Sequence, residues 1–259
     1  MSSKKDSISN TIRIAFLVCL VCSIVVSYAA ISLKPLQQLN KTLEVKKNIL
    51  AAAGLYDASK SIEDQFGVIS TKLVDLRTGT YATDLDVATY DQRKASKDPK
   101  RSDKLDADTD IASIKRLENY AKVYEVIENG ELKTLILPIR GYALWSTLWG
   151  FVALEADLNT VVGLGFYEHA ETPGLGGEID NPKWKALWIG KEIYDGNGDI
   201  GVYVKKGQAN NDIESEKRFA VDGLSGATLT SRGVDNLVRF WMGDNAFAPF
   251  IKHLKAGEA

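Results

Sequence analysis

Between Arg13 and Lys34 the chain runs for twenty residues, IAFLVCLVCSIVVSYAAISL, without a charge. As a helix rising about 1.5 Å per residue, such a run crosses the roughly 30 Å hydrocarbon core of a bilayer. Eleven of the twenty are Ile, Leu, Val or Phe, each contributing about −0.3 to −0.6 kcal/mol toward insertion near the bilayer centre. The segment is therefore an anchor or a signal peptide, for which KKDSISNTIR would be the basic lead and Ser27-Tyr28-Ala29 the cleavage site. Because the apolar stretch continues past that site to Leu33, retention as an anchor is expected. The flanking cations nearly balance, Lys4, Lys5 and Arg13 against Lys34, Lys41, Lys46 and Lys47. A short tail is easier to leave inside than a large domain is to retain against an N-terminal signal-anchor. The expected topology has the N-terminus inside and the domain outside. The corresponding division is a cytoplasmic tail at 1–13, a transmembrane helix at 14–33, a juxtamembrane helix and polar segment at 34–110, and a folded domain at 111–259.

Cys19 and Cys22 form a CxxC, but inside the apolar run it reads as two small polarizable residues on one helix face rather than a redox or metal site. With no other cysteine in the sequence, the domain has no disulfide. A composition 45% hydrophobic and 25% charged is that of a globular chain. The net charge of −2 and pI near 5.8 lack the basic excess of a nucleic-acid binder, so that class is excluded.

Leu36, Leu39, Leu43, Ile49 and Leu50 recur at roughly helical spacing. The stretch DQRKASKDPKRSDKLDADTD, 91–110, reads as a solvated loop or insertion. KVYEVIENGELKTLIL alternates around Asn129-Gly130, the pair best suited to a type I′ turn, and predicts a β-hairpin. GFVALEADLNTVVGLGFYEH predicts two more strands, NPKWKALWIG a short helix with Pro182 in its first turn and Gly190 beyond its end, and EIYDGNGDIGVYVKKG a further turn-linked strand pair. Residues 231–241 read as a helix burying Val234, Leu237, Val238 and Trp241. The fold class is α+β, an antiparallel-sheet domain preceded by one transmembrane helix.

GNGDIG, 196–201, matches GxGxxG by letter, but a strand rather than a helix follows it, so it reads as a turn and not a dinucleotide site. The same segment lacks the glycine and glutamate that an EF-hand calcium loop requires. DGLSGATLTS, 222–231, puts small residues and hydroxyls at a helix entrance. Three readings stay open there: a cap by Thr228, Thr230 or Ser231; an anion cradle in which free backbone N–H groups hold a phosphate; and a hydrolase in which Ser225 of GLSGA acts with His253 and Asp235 or Asp244. The last is disfavoured by the antiparallel pattern. HAETPGLGG, 169–177, is a glycine-rich loop that could present N–H groups and Leu175 to a flat ligand. In GYALWSTLWG, 141–150, Trp145 and Trp149 read as core or partner contacts.

Taken together, GYALWSTLWG, HAETPGLGG and DGLSGATLTS, in that order behind one membrane span, resemble the NqrC type, the FMN-binding member of the bacterial sodium-translocating NADH:quinone reductases. The resemblance covers essentially the whole chain. It implies FMN joined by a phosphoester to Thr228, with Asp222, Ser225, Gly226 and Ala227 as the surroundings recognised by a magnesium-dependent flavin transferase that uses FAD. It further implies that Glu171, Thr172, Pro173, Gly174, Leu175 and Gly176 lie against the isoalloxazine, and Trp145 joins the cofactor-binding set. The implied role is electron relay, from an iron-sulfur centre to another flavin within a membrane-bound complex that oxidises NADH and reduces ubiquinone, with no catalytic residue and no metal ligand in this chain. The related flavoprotein of the Rnf electron-transport complexes shares ETPGLG and SGAT but tends to be shorter and to lack LWSTLWG, and is the near alternative.

Overall fold

The computed structural model describes residues 8–259. Residues 1–7, with Lys4 and Lys5 of the orientation argument, lie outside the described residues. Two compact units divide after Val45. The first is helical. It belongs to a single α-helix, α1, Ile8–Ala52, so the expected membrane and juxtamembrane helices are one element. Pro35 sits inside it, and the helix continues through that position. Over the apolar run the side chains are exposed, as a lipid-facing helix requires.

The second unit, Lys46–Ala259, is built on a six-stranded sheet. Its elements are α2 (Ile62–Phe66), β1 (Ile69–Asp75), β2 (Thr80–Tyr81), α3 (Gln92–Ala95), β3 (Ser102–Lys104), β4 (Arg116–Glu118), β5 (Tyr120–Glu128), β6 (Glu131–Tyr142), β7 (Thr147–Glu155) and β8 (Val161–Glu168). Then come a 3-10 turn at Gly176–Asp180, α4 (Pro182–Ala186), β9 (Tyr203–Lys205), α5 (Glu214–Phe219), β10 (Ala220–Asp222), α6 (Thr228–Trp241) and α7 (Ala248–Ala256). The sheet order is β2-β1-β5-β6-β7-β8, and every neighbouring pair is antiparallel. Asn129 (φ 54°) and Gly130 (φ 85°) form the expected two-residue turn between Glu128 and Glu131.

Side-chain alternation gives the sheet one fully buried face and one that is covered in part. On one, Leu135, Leu137, Ile139, Leu148, Val152 and Leu164 pack against Val234, Leu237, Val238 and Trp241 of α6. Each such aliphatic side chain contributes roughly 1.5–3 kcal/mol by leaving water. Trp241 Nε1 donates to the Arg140 carbonyl at 2.7 Å and so registers the helix on β6. The opposite face carries Tyr124, Phe151 and Tyr167, joined edge-on or stacked, and Phe66 of α2.

Three expectations are corrected. The boundary at residue 111 falls inside the compact unit, because β1 pairs along its whole length with β5. The 91–110 stretch is solvated only in part: residues 97, 99–101, 103, 104 and 106–109 are exposed, while other residues of the stretch pack onto the domain. Asp91 caps α3 through Lys94 N–H, Ala95 and Ser102 are buried, and Arg93 lies 4.1 Å from the Trp149 ring. Arg93 and Arg101 lie over the Trp149 and Tyr90 rings, contacts that charge counting does not register. The strand pair at 192–207 reduces to one bridge, Tyr194 with Ile200 around the Asp195 turn, while β9 turns away to pair in parallel with β10.

Candidate functional site

Three loops meet at the N-terminus of α6: the β6–β7 turn, the loop after β8 and the β10–α6 turn. Helix α6 begins at Thr228, three residues earlier than expected. Ala227 is its N-cap residue, and no side chain makes a capping bond, which corrects the cap reading of the hydroxyl cluster. Its hydroxyls are used otherwise. Ser231 Oγ accepts the Leu224 N–H at 2.9 Å, closing the turn from behind, and Thr230 Oγ1 donates to Glu171 Oε2 at 2.7 Å. Thr228 is left exposed, beside exposed Ser225 and Gly226.

Gly226 takes φ 73°, and a Cβ there would lie 3.1 Å from Leu175 Cδ2. The turn therefore needs glycine twice, for its left-handed backbone and for the approach of the neighbouring loop. Asp222 ends β10 with its carboxylate accepting Ala209 N–H at 2.8 Å and its carbonyl accepting Trp184 Nε1 at 2.8 Å. It thus ties the 206–209 loop and α4 to the Thr228 turn.

An open groove of about 1030 Å³ runs beside this turn, its lining including the carboxylates Glu178 and Asp222, the cations Lys183 and Lys206, Trp184, and residues 223–226 and 228. Lys183 and Lys206 are exposed on its rim. Thr228 also borders a smaller hollow of about 220 Å³ with Lys205, Lys206 and Arg232. Free N–H groups at the first turn of α6 and these cations together suit an anionic group at Thr228. Apolar surface lies exposed nearby: Trp145 is 63% exposed, Leu229 53% and Leu175 45%. The donor set fits FMN: cations and N–H groups for a phosphate, a hydroxyl to carry it, and exposed apolar side chains for a flat ring.

The glycine loop divides in two. Thr172, Pro173, Gly174 and Leu175 are exposed, whereas Glu171 and Gly176 are buried. Glu171 Oε1 accepts the N–H groups of Trp145 at 2.9 Å and Ser146 at 3.3 Å, and Oε2 accepts Thr230. Sequence reasoning missed Thr230 in this role, along with His169, whose Nε2 meets Asp180 at 2.7 Å while Nδ1 accepts Glu171 N–H at 3.2 Å. His169 opens the HAETPGLGG motif, and that position was the one signal available.

The hydrolase set does not assemble. His253 Nδ1 lies 2.9 Å from the Gly79 carbonyl, Asp235 accepts Val204 N–H at 2.7 Å, and Asp244 pairs with Lys252. Among the described residues, none of them hydrogen-bonds Ser225.

Residues 143–243 of the chain, from the β6–β7 turn through α6, match the family described as FMN-binding domain, which defines an FMN-binding-domain protein. The chain is 53% identical to the NqrC protein, the C component of the Na(+)-translocating NADH-quinone reductase, of Pseudomonas aeruginosa, over 99% of this chain and 100% of the relative. It is 44% identical to the corresponding protein of Vibrio alginolyticus, over 100% and 99% of the two chains. The crystal structure of Shewanella oneidensis NqrC superposes with a TM-score of 0.77 at 35% identity, covering 84% of this chain and 99% of that one. The chain belongs to the NqrC family of the Na(+)-translocating NADH-quinone reductases.

Proposed function

We propose that this chain carries FMN on a phosphoester to Thr228 and relays electrons, within a sodium-translocating NADH:quinone reductase, between an iron-sulfur centre and another flavin. The observation that carries the reading is the Thr228 hydroxyl, exposed in the first turn of α6 beside a groove rimmed by Lys183 and Lys206. When bound, FMN would supply reversible one-electron transfer. The chain's own residues do the rest. Thr228 Oγ would hold the group through one O–P bond, its proton lost and AMP released as the pyrophosphate O–P bond of FAD breaks on a separate magnesium-dependent transferase. Backbone N–H groups of residues 228–230, with Lys206, hold the remaining phosphate charge, and Trp145, Leu175 and Leu229 offer apolar surface to the ring.

The exposed apolar helix α1 supports a single-pass anchor in the inner membrane, with residues 1–13 inside and the FMN domain in the periplasm. There a covalent tether keeps the cofactor from loss by dilution. The other subunits of the complex, and transiently the transferase, are the partners.

The test is denaturing electrophoresis of the full chain co-expressed with a flavin transferase, followed by mass spectrometry of the peptide containing Thr228. A fluorescent band and an added FMN mass on Thr228 are expected, both absent in Thr228→Val. Fluorescence that persists in Thr228→Val, or no fluorescence in the parent chain, would refute the assignment.

A further inference from the structure

We propose that Glu171 is a positioning residue: its carboxylate joins the three loops and sets the direction of the Thr228 hydroxyl before any cofactor is attached. The importance of that direction rests on the FMN reading of the site; the clamp itself does not.

The clamp brings together parts of the chain far apart in sequence. Glu171 lies 59 residues from Thr230 and 26 from Trp145. Both of its oxygens are engaged, Oε1 by two N–H groups of the β6–β7 turn and Oε2 by the α6 hydroxyl. Glu171 is 4% exposed and Thr230 0%, so water cannot stand in for a missing partner, and a buried carboxylate holds its donors tightly.

Further bonds keep the carboxylate in place. Ser146 Oγ accepts Ala170 N–H at 2.7 Å. His169 takes Glu171 N–H at Nδ1 and reaches Asp180 through Nε2, an arrangement that needs the proton on Nε2. Gly176 closes the pair from above: a Cβ there would fall 2.5 Å from Thr230 Oγ1 and 2.8 Å from Glu171 Oε2.

Thr230 follows Thr228 by two residues, which is about 200° around an α-helix. Drawing Thr230 inward to Glu171 therefore turns Thr228 outward, in keeping with their buried and exposed states. The same carboxylate holds the backbone of Trp145. One buried group thus fixes the loop that offers apolar surface and the helix turn that offers the attachment point. A ring on a flexible phosphoester keeps one orientation only where such a seat is preformed.

The full chain in detergent tests this with Thr230→Val, which keeps the shape and loses the hydroxyl, Thr230→Ser, which restores it, and Glu171→Asp, one methylene too short to reach both elements. In chain expressed without the transferase, amide hydrogen exchange at Trp145 and Ser146 is expected to quicken on the order of tenfold in Thr230→Val and Glu171→Asp, and to stay at the parent rate in Thr230→Ser. In chain co-expressed with the transferase, both the fraction of Thr228 that carries flavin and the steady-state flavin anisotropy of the loaded chain fall in the first two and are kept in Thr230→Ser. Parent-like exchange in both Thr230→Val and Glu171→Asp overturns the clamp. If Thr230→Val loses its cooperative melt, Glu171→Asp decides by the same exchange readout. A parent chain that takes up no flavin refutes the FMN reading alone, since the exchange measurement needs none.

Discussion

Glu118 and Arg140 form an ion pair at 2.6 Å with side chains 0% and 6% exposed, and this pair holds the 91–118 segment onto the sheet. Glu118 Oε1 also accepts Gln92 Nε2 at 2.8 Å, and Gln92 Oε1 accepts Lys122 N–H from β5 at 3.0 Å. Arg140 Nη2 donates as well to the Arg116 carbonyl at 2.8 Å, while its guanidinium lies 5.4 Å from the Trp149 ring. Glu118→Gln keeps the volume and removes the charge, leaving a buried guanidinium without its counterion. Removing one partner of a buried pair costs about 3–5 kcal/mol. At about 2–4 °C per kcal/mol for a domain of this size, Tm falls by roughly 6–20 °C. Replacing both charges, in Glu118→Leu with Arg140→Met, is expected to return Tm most of the way, because a buried pair exchanged for apolar groups is often close to neutral. Thermal unfolding of the full chain in detergent, followed by tryptophan fluorescence, reads both variants; Trp149 and Trp241 flank Arg140 and report locally. A Glu118→Gln drop of less than about 3 °C would show that solvent reaches the pair and that the segment behaves as the loop its composition suggests.

Two further predictions follow from α6 and its entrance. Burial raises the Asp235 carboxyl above the ordinary aspartate range, against the opposing Val204 N–H bond and Arg239. The native state then holds that proton more tightly than the unfolded chain. Its contribution to stability is favourable at low pH and is lost as pH rises from about 4 through the folded value. Asp235→Asn flattens this part of the stability profile, measured as parent minus variant Tm between pH 4 and 7; parallel profiles refute it. Gly226→Ala forces an L residue to φ 73° and a methyl to within 3.1 Å of Leu175, at a cost of about 1 kcal/mol or more. Flavin loading per chain is expected to fall several-fold while the melt stays cooperative, and unchanged loading sinks the argument.

The long apolar helix, the Asn129-Gly130 hairpin and the core stripe of α6 were legible because each is set by residues close in sequence. A twenty-residue run without charge has one low-energy solvent, and a pair that tolerates positive φ closes a two-residue turn wherever it stands. The site was legible as three motifs and the identity of its small residues. What each polar group does there was not. Thr230 and Ser231 looked like caps, since hydroxyls at a helix entrance usually are, and Glu171 looked like a ligand contact.

Length, hydropathy and turn chemistry thus determined that this chain has one apolar helix and an antiparallel α+β domain with a glycine-rich, hydroxyl-bearing helix entrance. Only the tertiary structure decided that Glu171 faces inward to Thr230, that Glu118 and Arg140 draw a charged segment onto the sheet, and that Thr228 alone of the two α6 threonines stands at the groove. The physical reason is the same in each case. A hydrogen bond between groups tens of residues apart leaves no periodicity in sequence, and its partners are chosen by which faces the packed helix and sheet bring together.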